Sequence, residues 1–337
     1  MKSIYDGKQL AYKLLMNSVY GFTGAGFAML PAPEIASTVT CKGRSMIEET
    51  KNCVEANFPG AKVRYGDTDS VMVEFDVQGR TGQEAVQYSW ELGELASEMC
   101  TKLFKAPNDL ELEKVYYPYI LYSKKRYAAK MWVKHGDGVC RLDKDKPIDI
   151  KGLQVVRRDT ILYTRKVCKK LLNVILESPN PDEAIRMAKE AAETLLNHDV
   201  EIDDLVMSQQ LADNYKSSNL PHVNVRDKMR QREPGSEPQS GDRVPFVIVE
   251  TEDENAQQYE KAEDPAYVKL HGITLDYYYY FTNKFVQPVS DLLEPLVTDA
   301  KNIIFGDLFV KKRKARGRGV LPLPKGQKLL SDFFKKL

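Results

Sequence analysis

No run of roughly 18 consecutive apolar residues occurs in the 337-residue chain, so a helical membrane span is not expected. The opening Met-Lys-Ser-Ile-Tyr-Asp has no apolar core of the kind a secretory signal needs, so export is not expected either. Cysteine is sparse: Cys41, Cys53, Cys100, Cys140 and Cys168 are never closer than 12 residues, which excludes a CxxC zinc pair and argues against a disulfide framework. These thiols read as small buried residues in a reducing compartment. The 4 histidines, His135, His198, His222 and His271, have no ligand spacing, and no internal repeat is visible. What is present is ordinary for globular protein, with 42% hydrophobic and 29% charged residues, which excludes a wholly disordered or collagen-like chain. The length allows two or three domains. The net charge of +1 conceals a polarity. From Lys301 to the end there are 11 basic and 2 acidic residues, so a tail of +9 follows a body of −8.

Leu10, Leu14 and Leu15 repeat at helical spacing between Tyr5 and about Gly21, while Gln9, Lys13 and Asn17 step by four along another face. A second helix is expected from Glu34 to Asn57, ended by Phe58-Pro59-Gly60. The alternation of Val63, Tyr65, Val71, Val73 and Phe75 about Gly66-Asp67-Thr68 then predicts a β-hairpin. Residues 82–104 follow a helical pattern. Residues 110–142, rich in Tyr, Val and Ile with a turn at Gly136-Asp137-Gly138, read as strands. Beyond Gly152 the pattern is mostly helical: Ile161, Cys168, Leu172 and Ile175 share one face, and Ile185, Ala188, Ala192 and Leu195 another. Between them Ser178-Pro179-Asn180-Pro181 is a break. Arg232–Arg243 is expected to be a loop, Asp276 to about Ala300 the last helix, and Lys311–Gly319 a basic linker.

The hairpin tip, Tyr65-Gly66-Asp67-Thr68-Asp69-Ser70, is the sharpest local feature. It places two carboxylates on short, rigid backbone, and magnesium prefers such hard oxygens together with water and substrate phosphates. Asp and Gly are also favoured in plain solvated turns, and a DxD element occurs in metal-dependent glycosyltransferases, so the pair alone fixes no reaction. On the first helix Lys13, Asn17 and Tyr20-Gly21 form K-x-x-x-N-S-x-Y-G. Its lysine and amide, one turn apart, suit phosphate oxygens, and its tyrosine beside glycine offers a flat wall next to a close backbone approach. The competing explanation is an exposed polar face ending in a glycine C-cap. The glycines of Gly21-Phe22-Thr23-Gly24-Ala25-Gly26 follow the helix and so make no dinucleotide loop.

In this order the two motifs resemble those of family B DNA polymerases, the first in the fingers and the second in the palm. Lys124-Lys125-Arg126-Tyr127 is similar to that family's K-K-R-Y element. The resemblance continues through Lys151-Gly152, Val156-Arg157-Arg158-Asp159, Asp204-Leu205-Val206, Pro221-His222-Val223, Gly241–Pro245 and Lys261–Pro265, and is greatest to the delta-type replicative branch. It implies an α+β fold: residues 1–27 as the end of the fingers, 28–152 as most of a palm of antiparallel sheet with helices, 153–306 as a mainly helical thumb, and 307–337 as a basic linker with a clamp-binding peptide. It implies that Asp69 ligates metal and Asp67 supports it, and that Lys13 and Asn17 hold the triphosphate while Tyr20 and Gly21 line the nascent base pair. Lys124, Lys125, Arg126 and Tyr127 then track primer–template DNA, with Lys125 and Tyr127 touching the primer terminus from the minor-groove side, where an enzyme can check pair shape without reading sequence. The implied reaction is deoxynucleotide transfer from a triphosphate to a primer 3′-hydroxyl with two magnesium ions.

The chain departs from the family pattern as well. It has no D-x-x-S-L-Y-P element to supply the second bridging aspartate, no upstream fingers helix, no exonuclease region and no cysteine-rich terminal module. It is therefore expected to correspond to the carboxy-terminal part of such an enzyme and to need an upstream polymerase fragment. Acting without one, it would be a catalytically silent DNA-binding and clamp-binding module. At the tail Gln327, Leu330, Phe333 and Phe334 fit Q-x-x-L-x-x-F-F, which resembles the peptide that binds a sliding clamp. Positions i, i+3 and i+4 present three apolar anchors on one helical turn. An amphipathic helix packed on the chain itself is the alternative. Lys311–Lys314, Arg316 and Arg318 suit phosphate contacts, a nuclear signal or plain solvation. The expected location is the nucleus or a viral replication site. Tyr277–Tyr280 is read as core and surface of the thumb, not a base-stacking platform.

Overall fold

The computed structural model describes residues 2–29, 31–178, 180–253 and 255–315, divided between two units: Met1–Lys125 with Ala129–Asp149, and Arg126–Ala128 with the residues from Ile150 onward. In the first unit, α1 (Lys2–Gly24) has the helical repeat expected of it, yet Leu10, Leu14, Leu15 and Val19 are each 56–61% exposed. The helix runs past Gly21, which is therefore an interior position and not a C-cap. The close approach comes at Gly24, where a Cβ would lie 3.3 Å from the Cβ of Ala36 on α2 (Pro33–Asn57).

Proline at the first turn of α2 and Glu34 beside it suit a helix start, since the missing N–H is an orphan there and the dipole favours an acid. After Phe58 the chain reverses at Gly60. Its φ is +78°, and a Cβ there would lie only 2.9 Å from the Cβ of Asp76, so no other residue fits. The hairpin follows as expected: β1 (Lys62–Asp67) pairs antiparallel with β2 (Ser70–Glu74) in the register Val63↔Val73, Tyr65↔Met72 and Asp67↔Ser70. Behind it Val54, Phe58, Ala61, Ala96 and Cys100 form a core on which Val73 and Phe75 of the hairpin pack, with Phe58 and Phe75 edge to face at 5.6 Å. Burying Phe58 contributes about 1.5–3 kcal/mol. Helix α3 (Gly82–Thr101) adds Val86 and Trp90, which pack with Cys140, Leu112, Val115 and Trp132. Strand β4 (Arg126–Lys134) is the centre of a four-stranded sheet, flanked by β3 (Val115–Ser123) and by β5 (Cys140–Leu142) and β6 (Ile148–Lys151).

In the second unit α4 (Leu162–Glu177) and α5 (Pro181–Leu196) bury the expected faces: Cys168, Leu172, Ile175, Ala188, Ala192 and Leu195 are all 3% exposed or less. Between them Asn180 caps α5 by accepting from the Asp182 N–H at 3.0 Å. The short α6 (Ile202–Leu205) leads into β7 (Met207–Gln210). After α7 (Pro221–Arg232) and the expected loop comes β8 (Arg243–Ile248), which pairs antiparallel with both β7 and β9 (Ala262–Glu263). This small sheet in a half expected to be mostly helical is assembled from short pieces far apart in the chain. Beyond α8 (Pro265–His271), the expected helix from Asp276 is α9 (Tyr277–Tyr280), a π-helical turn at Phe281–Phe285 and α10 (Val286–Leu293). The Thr164 hydroxyl of α4 donates to the Lys284 carbonyl in that turn at 3.0 Å, satisfying an acceptor that the widened helix leaves free.

Helix α11 (Ala300–Ala315) corrects the sequence reading, since it carries helix across 311–315, where a linker was expected. Its Ile304 and Phe305 are buried, the latter edge to face with Phe281 and Phe285, and this anchors a helix whose polar end has no periodicity to announce it. Tyr280 is fully buried with its hydroxyl accepting from the Ile248 N–H, in keeping with a core role for the tyrosine run. Gln327, Leu330, Phe333 and Phe334, with Arg316 and Arg318, lie outside the described residues.

Candidate active site

The hairpin tip is a tight turn centred on Thr68. Its φ of +54° lies in the left-handed region that a β-branched residue seldom enters, and the Asp69 N–H closes the turn on the Asp67 carbonyl at 2.6 Å. The Thr68 hydroxyl donates to Asp67 Oδ1 at 3.2 Å and the Ser70 hydroxyl to the Asp67 carbonyl at 3.2 Å. Gly66 sits over α2, where a Cβ would come 3.5 Å from Ile47 Cγ2. Strain held by surrounding bonds is the usual signature of a turn whose side chains must point in set directions.

The two carboxylates differ sharply. Asp67 is half-buried and paired with Lys125, whose ammonium stands 3.0 Å from Oδ1. That ammonium, outweighing the effect of burial and helped by Thr68, holds the Asp67 carboxyl below its ordinary range, and Asp67 in turn raises Lys125. Lys125 itself occupies the turn between β3 and β4 at φ +60°, where its N–H donates to Tyr65 Oη at 2.9 Å. Asp69 is exposed, and its carboxylate makes no hydrogen bond or ion pair among the described residues.

The remaining K-K-R-Y positions diverge. Lys124 is exposed, Arg126 faces Asp291 at 3.9 Å, and Tyr127 is only 8% exposed, so of its ring little more than an edge is available to a ligand. On α1, Lys13, Asn17, Tyr20 and Gly21 are all exposed, and among the described residues no hydrogen bond or ion pair joins them to the hairpin. A Cβ at Gly21 would meet nothing within 4 Å, so packing within the chain does not require glycine there. The structure thus brings Asp67, Lys125 and Tyr65 together and leaves Lys13, Asn17 and Asp69 open. Sequence reading passed over Tyr65 as an anchor, although it opens the motif; its partner is an amide 60 residues away that no local pattern marks.

Asp69 suits a divalent ion by its free hard oxygens, whereas Asp67 is already engaged. Among the described residues no group of three His, Cys, Asp or Glu side chains gathers to hold a metal. The donor set present among the described residues is thus one free carboxylate, not a complete cage.

Residues 1–296 match the family described as DNA polymerase family B. A DNA polymerase of Paramecium bursaria Chlorella virus NY2A is 38% identical over 352 residues, covering 99% of this chain and 37% of that protein. The DNA polymerase delta catalytic subunit of Glycine max is 40% identical over 316 residues, 90% of this chain and 28% of that one, and its Candida albicans counterpart is 39% identical over 307 residues. This chain thus spans between 28% and 37% of the length of these curated relatives. The solved family B DNA polymerase from the hyperthermophilic archaeon Pyrobaculum calidifontis aligns over 87% of this chain and 34% of its own, with TM-score 0.59 and 24% identity, which speaks for the α+β fold. A match over 296 residues that takes in both the aspartate hairpin and the lysine–asparagine helix shows that this chain belongs to DNA polymerase family B.

Proposed function

We propose that this chain supplies the palm hairpin, the end of the fingers and the thumb of a replicative DNA-directed DNA polymerase that transfers deoxynucleotides from triphosphates to a primer 3′-hydroxyl. The observation that carries the reading is the inequality of the two aspartates: one is clamped by a lysine, and its neighbour two residues on is exposed and unengaged, on a turn held in a strained conformation. Asp69 is the metal ligand and Asp67 its support, positioning Lys125 and the tip. Asp69 would hold a divalent ion, magnesium by preference for hard oxygens, which when bound would compensate triphosphate charge and activate the primer hydroxyl. Lys13 and Asn17 hold phosphate oxygens, Tyr20 and Gly21 face the new base pair, and Lys124 and Lys125 meet the primer–template. Arg126 and Tyr127 act from within the fold, since one faces Asp291 and the other is buried.

The first unit corresponds in this reading to fingers end and palm, and the second to thumb. The exposed apolar face of α1 is covered by an upstream polymerase segment, which also brings the second bridging carboxylate. The tail, Gln327 with Leu330, Phe333 and Phe334, binds a sliding clamp, and the place of action is the nucleus or a viral replication site. Among the described residues no helix is long and apolar enough to cross a membrane. The test is primer extension by an enzyme in which these residues are joined to the upstream palm segment. Asp69→Asn removes nearly all incorporation, because an amide keeps the volume and loses the charge, while Asp67→Asn costs far less. Equal incorporation by Asp69→Asn and unmodified enzyme refutes the assignment. A second reading, a silent DNA- and clamp-binding module, is favoured by the incomplete donor set among the described residues; extension by the joined enzyme excludes it.

A further inference from the structure

Asp149 is fully buried, and the reading above gives it nothing to do. A buried carboxylate is tolerated only when its charge and lone pairs are met, and here they are. Lys146 Nζ donates to Oδ1 at 2.5 Å, Tyr116 Oη donates to Oδ2 at 2.5 Å, and Lys114 Nζ stands 4.0 Å from Oδ2. Lys114 also approaches the face of Tyr116, 5.8 Å from its centroid. With its hydroxyl tied to a charge inside the fold, Tyr116 has a fixed ring plane, and that plane is copied: the Tyr119 ring lies 5.8 Å away at an angle of 6°. Tyr119 Oη in turn donates to Met72 Sδ on β2 at 3.0 Å. Met72 is the cross-strand neighbour of Tyr65, and Tyr65 is the residue that holds the Lys125 turn. Tyr65 with the Lys125 amide, Asp67 with the Lys125 ammonium and Met72 with Tyr119 therefore seat the hairpin on β3 and the turn that follows it, and the last of these contacts rests on Asp149.

We propose that Asp149 is a positioning residue for the metal-binding hairpin, acting through the Tyr116–Tyr119 pair and Met72 to fix the direction of β2 and the tip that carries Asp67 and Asp69. The inference rests on the reading of that hairpin as the polymerase metal site. It differs from a general stabilising role because its effect is local to the hairpin. Removal of the Tyr119 hydroxyl must loosen the same amides as loss of the Asp149 charge.

The experiment uses the full 337-residue chain and two readouts. The first is amide hydrogen exchange resolved over residues 62–74; the second is terbium(III) luminescence sensitised by nearby tyrosine, with Asp69→Asn as the control that assigns the signal. Asp149→Asn is expected to speed hairpin exchange about tenfold, as loss of a charged buried bond should, with Tyr116→Phe and Tyr119→Phe giving smaller rises in the same amides. Exchange in α3 and from residue 162 onward stays unchanged. Terbium binding weakens roughly tenfold in Asp149→Asn, the low end for partners lying outside a metal's own ligands. If Asp149→Asn fails to fold, the two phenylalanine variants, which leave the carboxylate with its lysines, decide the matter. Unchanged hairpin exchange in them, or an equal rise throughout the first unit, overturns the proposal. Absence of an Asp69-dependent terbium signal in the unmodified chain instead refutes the metal reading, and the exchange result is then judged separately.

Discussion

Replacing Gly21 by alanine separates what the fold asks of that position from what a substrate asks of it. Gly21 is interior to α1, where glycine costs about 0.5–1 kcal/mol relative to alanine. A Cβ there would meet nothing within 4 Å, so no packing penalty opposes the gain. With RT near 0.59 kcal/mol, the gain corresponds to roughly two- to fivefold slower exchange of α1 amides. Gly24→Ala provides the contrast: its Cβ would lie 3.3 Å from the Ala36 Cβ on α2, tight enough that the two helices must shift, so exchange around their junction is expected to rise. The assay is exchange measured by mass spectrometry on the 337-residue chain, followed by primer extension in the enzyme joined to the upstream palm segment. Gly21→Ala is expected to stabilise the helix and, if Gly21 faces the nascent base pair as proposed, to depress nucleotide incorporation. Faster α1 exchange in Gly21→Ala would show that the fold needs this glycine. Slower exchange with undiminished incorporation would show that nothing approaches it, and would remove Tyr20-Gly21 from the site.

Three further outcomes are expected. Asp67 is held below its ordinary pKa by Lys125, so the stabilisation from this pair is fully present above the unperturbed carboxylate value and is lost as pH falls through the lowered one. A carbon-detected titration should give Asp67 a midpoint below the ordinary aspartate value, moving upward in Lys125→Ala; a midpoint that Lys125→Ala leaves in place refutes the pairing. Residues 1–337 alone are expected to bind primer–template DNA in a manner that weakens steeply with salt and to extend no primer, since among the described residues no group of three His, Cys, Asp or Glu side chains gathers to hold a metal. Magnesium-dependent extension by that chain, abolished by Asp69→Asn, would mean that another carboxylate such as Glu111 or Glu113 completes the site. Phe333→Ala with Phe334→Ala removes two anchors worth about 1.5–3 kcal/mol each if buried, enough to abolish a micromolar peptide contact. Clamp-stimulated synthesis then falls while synthesis on short primers does not, and a peptide of residues 320–337 that shows no calorimetric binding to any sliding clamp refutes the assignment.

By itself the sequence determined the elements whose causes are local. The α4 and α5 faces were legible because a helix repeats its buried side every three to four residues, and the hairpin because alternation flanks a turn with few alternatives. The lysine–asparagine and aspartate motifs were legible for the same reason, each lying within a few consecutive residues. The extent of α1 and α11 was not. Gly21 looks like a terminus until the helix is seen to continue to Gly24, and the polar end of α11 is helical as the continuation of a helix whose Ile304 and Phe305 are buried. The sheet of β7, β8 and β9 and the π-helical turn closed by Thr164 also depend on partners far along the chain, so no window of sequence contains their cause. The same holds at the site. Nothing local to Ile148-Asp149-Ile150 marks its acid as a core group, yet tertiary packing buries that acid beside Lys146 and Tyr116. Nothing in Lys124-Lys125-Arg126-Tyr127 distinguishes one lysine from the other, yet Lys125 is engaged by Asp67, 58 residues earlier. Which aspartate is left free for a ligand is thus decided by a charge pair that only the folded chain can form.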